Sequence, residues 1–304
     1  MRNVAIVAVL FFSSLSATAQ DNIVKGLQAD ADKKFEKDTV HKSGWKQGGL
    51  FTLNVAQGSL SNWQGGGDKN SFSAVGFLNL FEVLREGKNL WNNSLDLGYG
   101  YINTTSLGSR KSDDRIDLVS KYGYQIGSKW YAGALFNFRS QFAEGFVYEK
   151  DVNGAEIKTL TSKFMAPAYI LLSPGFDFKP TSSFSLFLSP VTERWIIVND
   201  DLLSALGAYG VKPGSKSRNE LGAFVSATFN KNVMENVTFK SRFDGFSNYK
   251  SKPGNVDIFW TNVLAMKVNK YLSANVAIDL LYDDDAISRL QLRQLLGIGL
   301  SAKF

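Results

Sequence analysis

The chain has 304 residues, no cysteine, a single histidine and a formal net charge of +6. Without cysteine it can have neither a disulfide framework nor a lipid attached through an N-terminal cysteine, and beyond the N-terminus no segment approaches the ~18 consecutive apolar residues of a spanning helix. Its lysines and arginines are scattered through turns and loops and form no run, which argues against a nucleic-acid surface and for solvated loop charge.

The N-terminus reads as an export signal. Arg2 supplies a short positive region, 4–12 is unbroken apolar, and Ala17-Thr18-Ala19 is a small-x-small cleavage site. Residues 1–19 are therefore expected to be removed, leaving Gln20 first. Residues 20–44 form a polar tail in which Ile23, Leu27, Ala31 and Phe35 are sparse among charges, the pattern of a mobile periplasmic segment. The rest, 45–304, reads as one domain with no internal repeat of fixed period. Its composition pairs 13% aromatic residues with 27 glycines in a chain of ordinary hydropathy. Aromatics at membrane interfaces and glycine on a crowded inner wall produce that mixture in a barrel.

Alternation and turn signals predict twelve strands, at 46–57, 71–84, 90–102, 115–126, 130–142, 163–178, 184–198, 219–229, 237–247, 256–268, 272–283 and 291–304. In the third, Trp91, Asn93, Leu95, Leu97, Tyr99 and Tyr101 alternate with Asn92, Ser94, Asp96, Gly98 and Gly100, a large face against a small polar one. Similar faces recur as Ile116, Leu118, Tyr122, Tyr124 and Ile126, as Leu221, Ala223, Val225, Ala227 and Phe229, and as Val256, Ile258, Trp260, Leu264, Met266 and Val268, all expected to meet lipid. The second, sixth and seventh strands are apolar on both parities at 77–78, 169–172 and 195–198.

Spacers after odd-numbered strands are long (58–70, 103–114, 143–162, 199–218, 248–255, 284–290). Those after even-numbered strands are mostly short (85–89, 127–129, 179–183, 230–236, 269–270). Short periplasmic turns and longer outside loops have this rhythm, so it predicts a closed, antiparallel up-and-down transmembrane β-barrel with both termini in the periplasm of a Gram-negative cell. The last strand alternates Leu292, Gln294, Leu296, Ile298, Leu300, Ala302 and Phe304 with Arg293, Leu295, Gly297, Gly299, Ser301 and Lys303. It resembles the closing strand of outer-membrane barrels, a class in which a C-terminal Phe such as Phe304 is similar to the signal read by the barrel-assembly machinery.

Candidate chemistry is sparse. His41 lies in the tail, outside the strands, so no histidine is available there to activate a serine or water, and no catalytic residue, cofactor or enzymatic activity is expected. Asp113-Asp114, Asp200-Asp201 and Asp283-Asp284-Asp285 fall where strands meet long spacers and are assigned to the outer rim. Carboxylates offer hard ligands to Ca²⁺ or Mg²⁺, which makes Asp283, Asp284 and Asp285 weak metal candidates, but no complete loop motif is present and turn formation is the plainer role. Gly65-Gly66-Gly67 lacks the Lys-Ser/Thr of a phosphate cradle and reads as a flexible outer loop. Residues 202–209 have short helical periodicity inside a long spacer, with a plain surface loop preferred over a cap or inward constriction.

The inner parity collects Asp96, Asp117, Lys121, Arg139, Lys240, Arg242, Asp244, Asp279 and Arg293. Charges at membrane depth mark an interior path or an internal pairing network. Twelve strands lie between the ~8 whose interior is filled and the ~16–18 that leave an aqueous channel, so a narrow pore and a plugged barrel both remain open.

Several stretches, Leu172-Ser173-Pro174-Gly175-Phe176, Leu188-Ser189-Pro190-Val191-Thr192, Val198-Asn199-Asp200-Asp201, Met266-Lys267-Val268-Asn269-Lys270-Tyr271-Leu272-Ser273 and Leu281-Tyr282-Asp283-Asp284-Asp285, are similar to a Bacteroidota family catalogued only as domain of unknown function 3078. The resemblance spans the chain from about Trp45 and implies an outer-membrane barrel in contact with lipid, without implying an activity or any functional residue. The expected roles are a narrow channel or transporter for small solutes, a non-conducting barrel that scaffolds an envelope complex through its long loops, or, third, a soluble secreted β-protein.

Overall fold

Residues of alternating character cannot bury a stripe as a helix would, but they can present two different faces as strands, and the chain does so almost throughout. The computed structural model describes residues 43–61, 67–269, 272–283 and 287–303. The signal segment, most of the tail, His41, Gly65, Gly66, Asp284, Asp285 and Phe304 lie outside them.

The strands are β1 (Gly44–Ser59), β2 (Asn70–Glu86), β3 (Asn89–Thr104), β4 (Gly108–Gln125), β5 (Trp130–Ser140), β6 (Gly145–Lys150), β7 (Glu156–Ser162), β8 (Ala168–Thr181), β9 (Phe184–Ile197), β10 (Ser217–Met234), β11 (Val237–Asn248), β12 (Val256–Lys267), β13 (Leu272–Asp283) and β14 (Ile287–Lys303). A short helix, α1 (Asp201–Ala205), and a 3-10 turn, Ala208–Gly210, lie between β9 and β10. The sheet is antiparallel, in the order β1-β14-β13-β12-β11-β10-β9-β8-β5-β4-β3-β2, with β6 and β7 forming a separate hairpin. Leu50–Leu53 pair with Leu300–Lys303, so β1 is bonded to β14 on one side and to β2 on the other and the sheet closes on itself. Closure removes the edges along which strands would otherwise add to another chain. The start of β1 lies beside the β2–β3 turn, Gly44 opposite Arg85, and β14 ends opposite Leu50, so both ends of the barrel chain reach the end that carries the short turns.

The connections differ from the expected spacers in three places. β4 begins at Gly108, not near 115, and pairs with β3 to its tip; Asp113 and Asp114 therefore lie within a strand, Asp113 buried, and not at a rim junction. Ser109, Arg110 and Lys111 are too polar to signal a strand by alternation, yet their backbone extends the hairpin, with a bulge at Gly100/Tyr101. The spacer at 143–162 is the β6–β7 hairpin. The segment at 202–209 is no plain loop: Leu203 and Val211 are buried with Ala166 and Val198, packed against Leu160 and Tyr209, and Tyr209 Oη donates to the Thr161 carbonyl. α1 with the following turn and the β6–β7 hairpin thus make one docked cap at the loop end.

Candidate functional site

The outer and inner faces of the sheet have opposite chemistry. Outside, Phe51, Leu53, Val55, Leu172, Phe176, Leu188, Ile298 and Leu300 are exposed, and aromatic side chains gather toward the short-turn end, where Trp45 lies 6.0 Å from Trp91 and Trp130 4.6 Å from Phe178 between ring centroids. Inside, directly opposed residues share a face, so the register carries the inner parity from strand to strand: Asn79, Asp96, Asp117 and Arg139 stand side by side on β2, β3, β4 and β5.

Among the described residues, three ionic networks stand out in the interior. Asp117, buried, accepts hydrogen bonds from Arg115 Nη2 (2.6 Å), Asn137 Nδ2 (2.6 Å) and Arg139 Nε (3.2 Å). Arg139 also approaches Asp244 (4.0 Å), which is paired with Arg242 (2.9 Å) and accepts from Ser226 Oγ (2.6 Å). β5 and β11 are separated in the sheet by β8, β9 and β10, so Arg139 reaches Asp244 only across the interior. Asp96 is buried and accepts from Asn79 Nδ2 at 2.5 Å.

Toward the short-turn end, Asp177 on β8 is shared by Lys121 (2.7 Å) from β4 and Lys179 (3.4 Å), with Ser185 Oγ donating at 2.6 Å. Toward the loop end, Arg194 on β9 pairs with Glu220 on β10 and, across two intervening strands, with Asp257 on β12 (2.7 Å); Arg218 also pairs with Glu220 (2.9 Å). The turn at Gly210 lies against the Arg218 guanidinium, which brings the cap to this third network.

Aromatic and aliphatic side chains pack along the inner wall between these networks. Leu135, Phe187, Phe224 and Phe246 form a buried cluster joined by Leu171, with Phe187 and Phe224 6.4 Å apart. Glycine makes room for two of these rings: an added Cβ at Gly175 would meet the Leu188 carbonyl and the Phe187 ring, and one at Gly222 the Ser247 carbonyl and the Phe246 ring. On the other wall, Leu50, Val75 and Phe77 form one buried group and Phe81, Val83 and Leu90 another, the latter packed by Tyr131. Lys121 stands over the Phe187 ring at 6.0 Å and Arg194 over Phe246 at 4.1 Å, placing cations on aromatic faces.

Of the residues assigned to the inner parity, Asp117, Arg139, Arg242 and Asp244 come together, Lys121 belongs to the Asp177 network, and Asp96 and Lys240 are buried. The backbone sets Arg293 opposite Asp279, and Asp279 opposite Thr261. Asp177, Lys179, Arg194, Arg218, Glu220 and Asp257 were not among the candidates. Only Arg194 is hidden by register: the extra residue of the irregularity lies on β9, whose buried residues are Phe187 and Ser189 before it and Thr192 and Ile196 after it, whereas Asp177, Glu220 and Asp257 lie on the unbroken inner parity of their strands. The pair signal Arg194-x-x-x near Glu220 exists only in space.

Asp283 ends β13, and among the described residues no group of three or more His, Asp or Glu side chains is arranged to hold a metal ion. Among the same residues no helix is long and apolar enough to cross a membrane, a finding that does not concern strands.

Residues 55–146 match the sequence model of a family described as a protein of unknown function (DUF3078). That match is shorter than the resemblance from Trp45 onward. No curated protein matches the chain. Among solved structures, an outer membrane channel from Pseudomonas putida F1 is similar at 12% identity and TM-score 0.42, with 86% of this chain and 96% of that one covered. The translocator domain of the autotransporter NalP from Neisseria meningitidis is similar at 9% identity and TM-score 0.39, covering 91% and 96%. The outer membrane phospholipase dimer with bound calcium from Salmonella typhi is similar at 11% identity and TM-score 0.39, covering 90% and 97%. None of these overlaps is close enough to carry a residue's role to this chain.

Proposed function

We propose that the protein is an outer-membrane β-barrel whose strands cross the bilayer, with the short turns and both termini in the periplasm, and that it acts as a narrow, side-chain-constricted channel for small solutes. Strands of 11 to 18 residues in the closed sheet exceed the ~9–11 that a tilted spanning strand needs. Their apolar outer face suits hydrocarbon, the Trp and Tyr side chains suit an interface, and Phe304 suits recognition by the assembly machinery. The Bacteroidota origin implied by the resemblance belongs to the same proposal.

The observation that carries the channel reading is the water access of charged groups inside a sheet whose outside is apolar: the side chains of Arg139, Arg242 and Lys121 retain 32%, 26% and 22% exposure although all three lie on the inner face. A dry plug would leave no such access. The strands contain no histidine, so a serine or water activated by imidazole has no place in this reading, and no enzymatic role is proposed. A second reading, a non-conducting barrel that partners an envelope complex through its cap, is favoured by the buried Leu135, Phe187, Phe224 and Phe246 cluster, which thickens the inner wall along β5, β8, β9, β10 and β11.

Fractionation, heat-modifiable migration on gels and planar-bilayer recordings of the purified full chain test these readings in order. The channel reading expects an outer-membrane fraction, a shift in migration on boiling, and discrete conductance steps. A folded barrel that never conducts would leave the scaffold, and a chain recovered in the soluble periplasm would remove both.

A further inference from the structure

We infer that the lumen selects small anions over small cations, an inference that rests on the channel reading and names its solute class. The formal charges in the interior are mixed, but they are not placed alike. In the Asp117, Asp244 and Asp177 networks the carboxylate is held against the wall and the cation reaches past it into the accessible space, whereas at the loop end the order is reversed, Asp257 being 19% exposed and Arg194 12%. The Asp117 side chain is 0% exposed where Arg139 keeps 32%; Asp244 is 9% exposed where Arg242 keeps 26%; Asp177 is 8% exposed where Lys121 keeps 22%.

The cause is side-chain length. An aspartate carries its charge one methylene from the backbone and, on a barrel wall, stays there; a lysine or arginine on the same wall carries its charge toward the axis. Each of these three pairs is therefore a radial dipole with its positive end inward. Toward the short-turn end the balance is also unequal, because the one carboxylate of Asp177 is shared by two ammonium groups, Lys121 and Lys179, which leaves one positive charge in excess at that network.

Between the loop-end network and the short turns, a solute meets ammonium and guanidinium donors first, and the carboxylates that neutralise them lie behind. In a narrow passage with low-dielectric walls such an arrangement raises the local concentration of anions and depletes cations, as rings of Arg or Lys do in anion pores. The donors also suit an oxyanion's geometry, since a guanidinium presents a fork of N–H groups to a carboxylate or phosphate. The chemical class is thus a small inorganic or carboxylate-bearing anion.

The test uses the full chain in planar bilayers under a KCl gradient. The reversal potential is expected to take the sign set by chloride, and the Lys121→Gln variant, read beside Lys179→Gln in case one of them assembles poorly, is expected to move it toward zero. A conducting protein whose reversal potential takes the sign set by potassium, or sits at zero, would overturn the anion assignment and leave the channel standing. Absence of conductance in a folded, heat-modifiable preparation would overturn the channel reading, and the anion assignment with it.

Discussion

At the scale of single residues, the interior is governed by what a buried charge requires. Asp117 lies at 0% exposure and is held by Arg115, Arg139 and Asn137. Removing one member of a buried, hydrogen-bonded charge group leaves the others desolvated and unpaired, which costs about 3–5 kcal/mol. Asp117→Ala is therefore expected to lower the unfolding free energy of the detergent-refolded barrel, read from urea titration, by that order, whereas Lys216→Ala, which breaks the exposed pair with Asp201, should leave it unchanged within error.

A second residue-scale prediction concerns the cap. Asp200 accepts from the Lys163 ammonium at 2.5 Å and from the Leu203 amide at the start of α1; both hold its carboxyl below the usual range, the lysine foremost, and the same contact raises Lys163. A lowered carboxyl contributes fully above its ordinary pKa and loses its contribution as pH falls through the lowered value; a raised lysine loses its contribution only as pH rises through the raised value. The cap should therefore stay docked across neutral pH and loosen on acidification below the ordinary carboxylate range. The amide protection factors of residues 201–206, with the intrinsic pH dependence of exchange divided out, are expected to fall on the acid side, and Asp200→Asn to remove that acid dependence.

At the scale of elements, the inner wall is shaped by where glycine lets a ring or a neighbouring strand approach. Gly175 and Gly222 stand beneath Phe187 and Phe246, each with a backbone carbonyl of the next strand where a methyl group would go. Because backbone cannot yield as a flexible side-chain tip can, Gly175→Ala and Gly222→Ala are each expected to cost about 1–3 kcal/mol, the usual range for overpacking. Unfolding titrations of the two variants would check this, and Gly254→Ala, where an added methyl meets nothing within 4 Å, serves as the control. The same elements explain what alternation could not deliver. The second strand is apolar on both parities because its inner face, Val75, Phe77, Phe81 and Val83, packs in the interior while its outer face carries Leu78 and Leu80. The ninth strand carries an extra residue around Ser189–Val191, so an inner residue before the break and an inner residue after it have opposite parity. Arg194 was hidden for that reason.

At the scale of the whole molecule, the sheet is closed by the pairing of its first and fourteenth strands. β14 pairs with β1 and β13, and its exposed Leu292, Ile298 and Leu300 continue the apolar outer surface. On the proposed reading of Phe304 as an assembly signal, its deletion is expected to reduce the yield in the outer membrane while leaving refolding in detergent nearly unchanged. Comparing outer-membrane yields with refolding yields of the truncated and full chains checks it, and equal membrane yields would count against an assembly role for the residue.

The chain by itself determined the class of structure. Period-two alternation over segments of about a dozen residues, the absence of cysteine and of long apolar runs, and the alternation of short and longer connections all follow from local chemistry, and so the positions of most strands could be read from them. Only the tertiary structure decided which charges meet. Arg139 reaches Asp244 and Arg194 reaches Asp257 across strands that are not neighbours, the cap forms from two segments that are separate in the chain, and the lumen's accessible charge depends on how far each side chain extends from its wall. These are distances through the interior of a closed sheet, and no periodicity along the backbone encodes them.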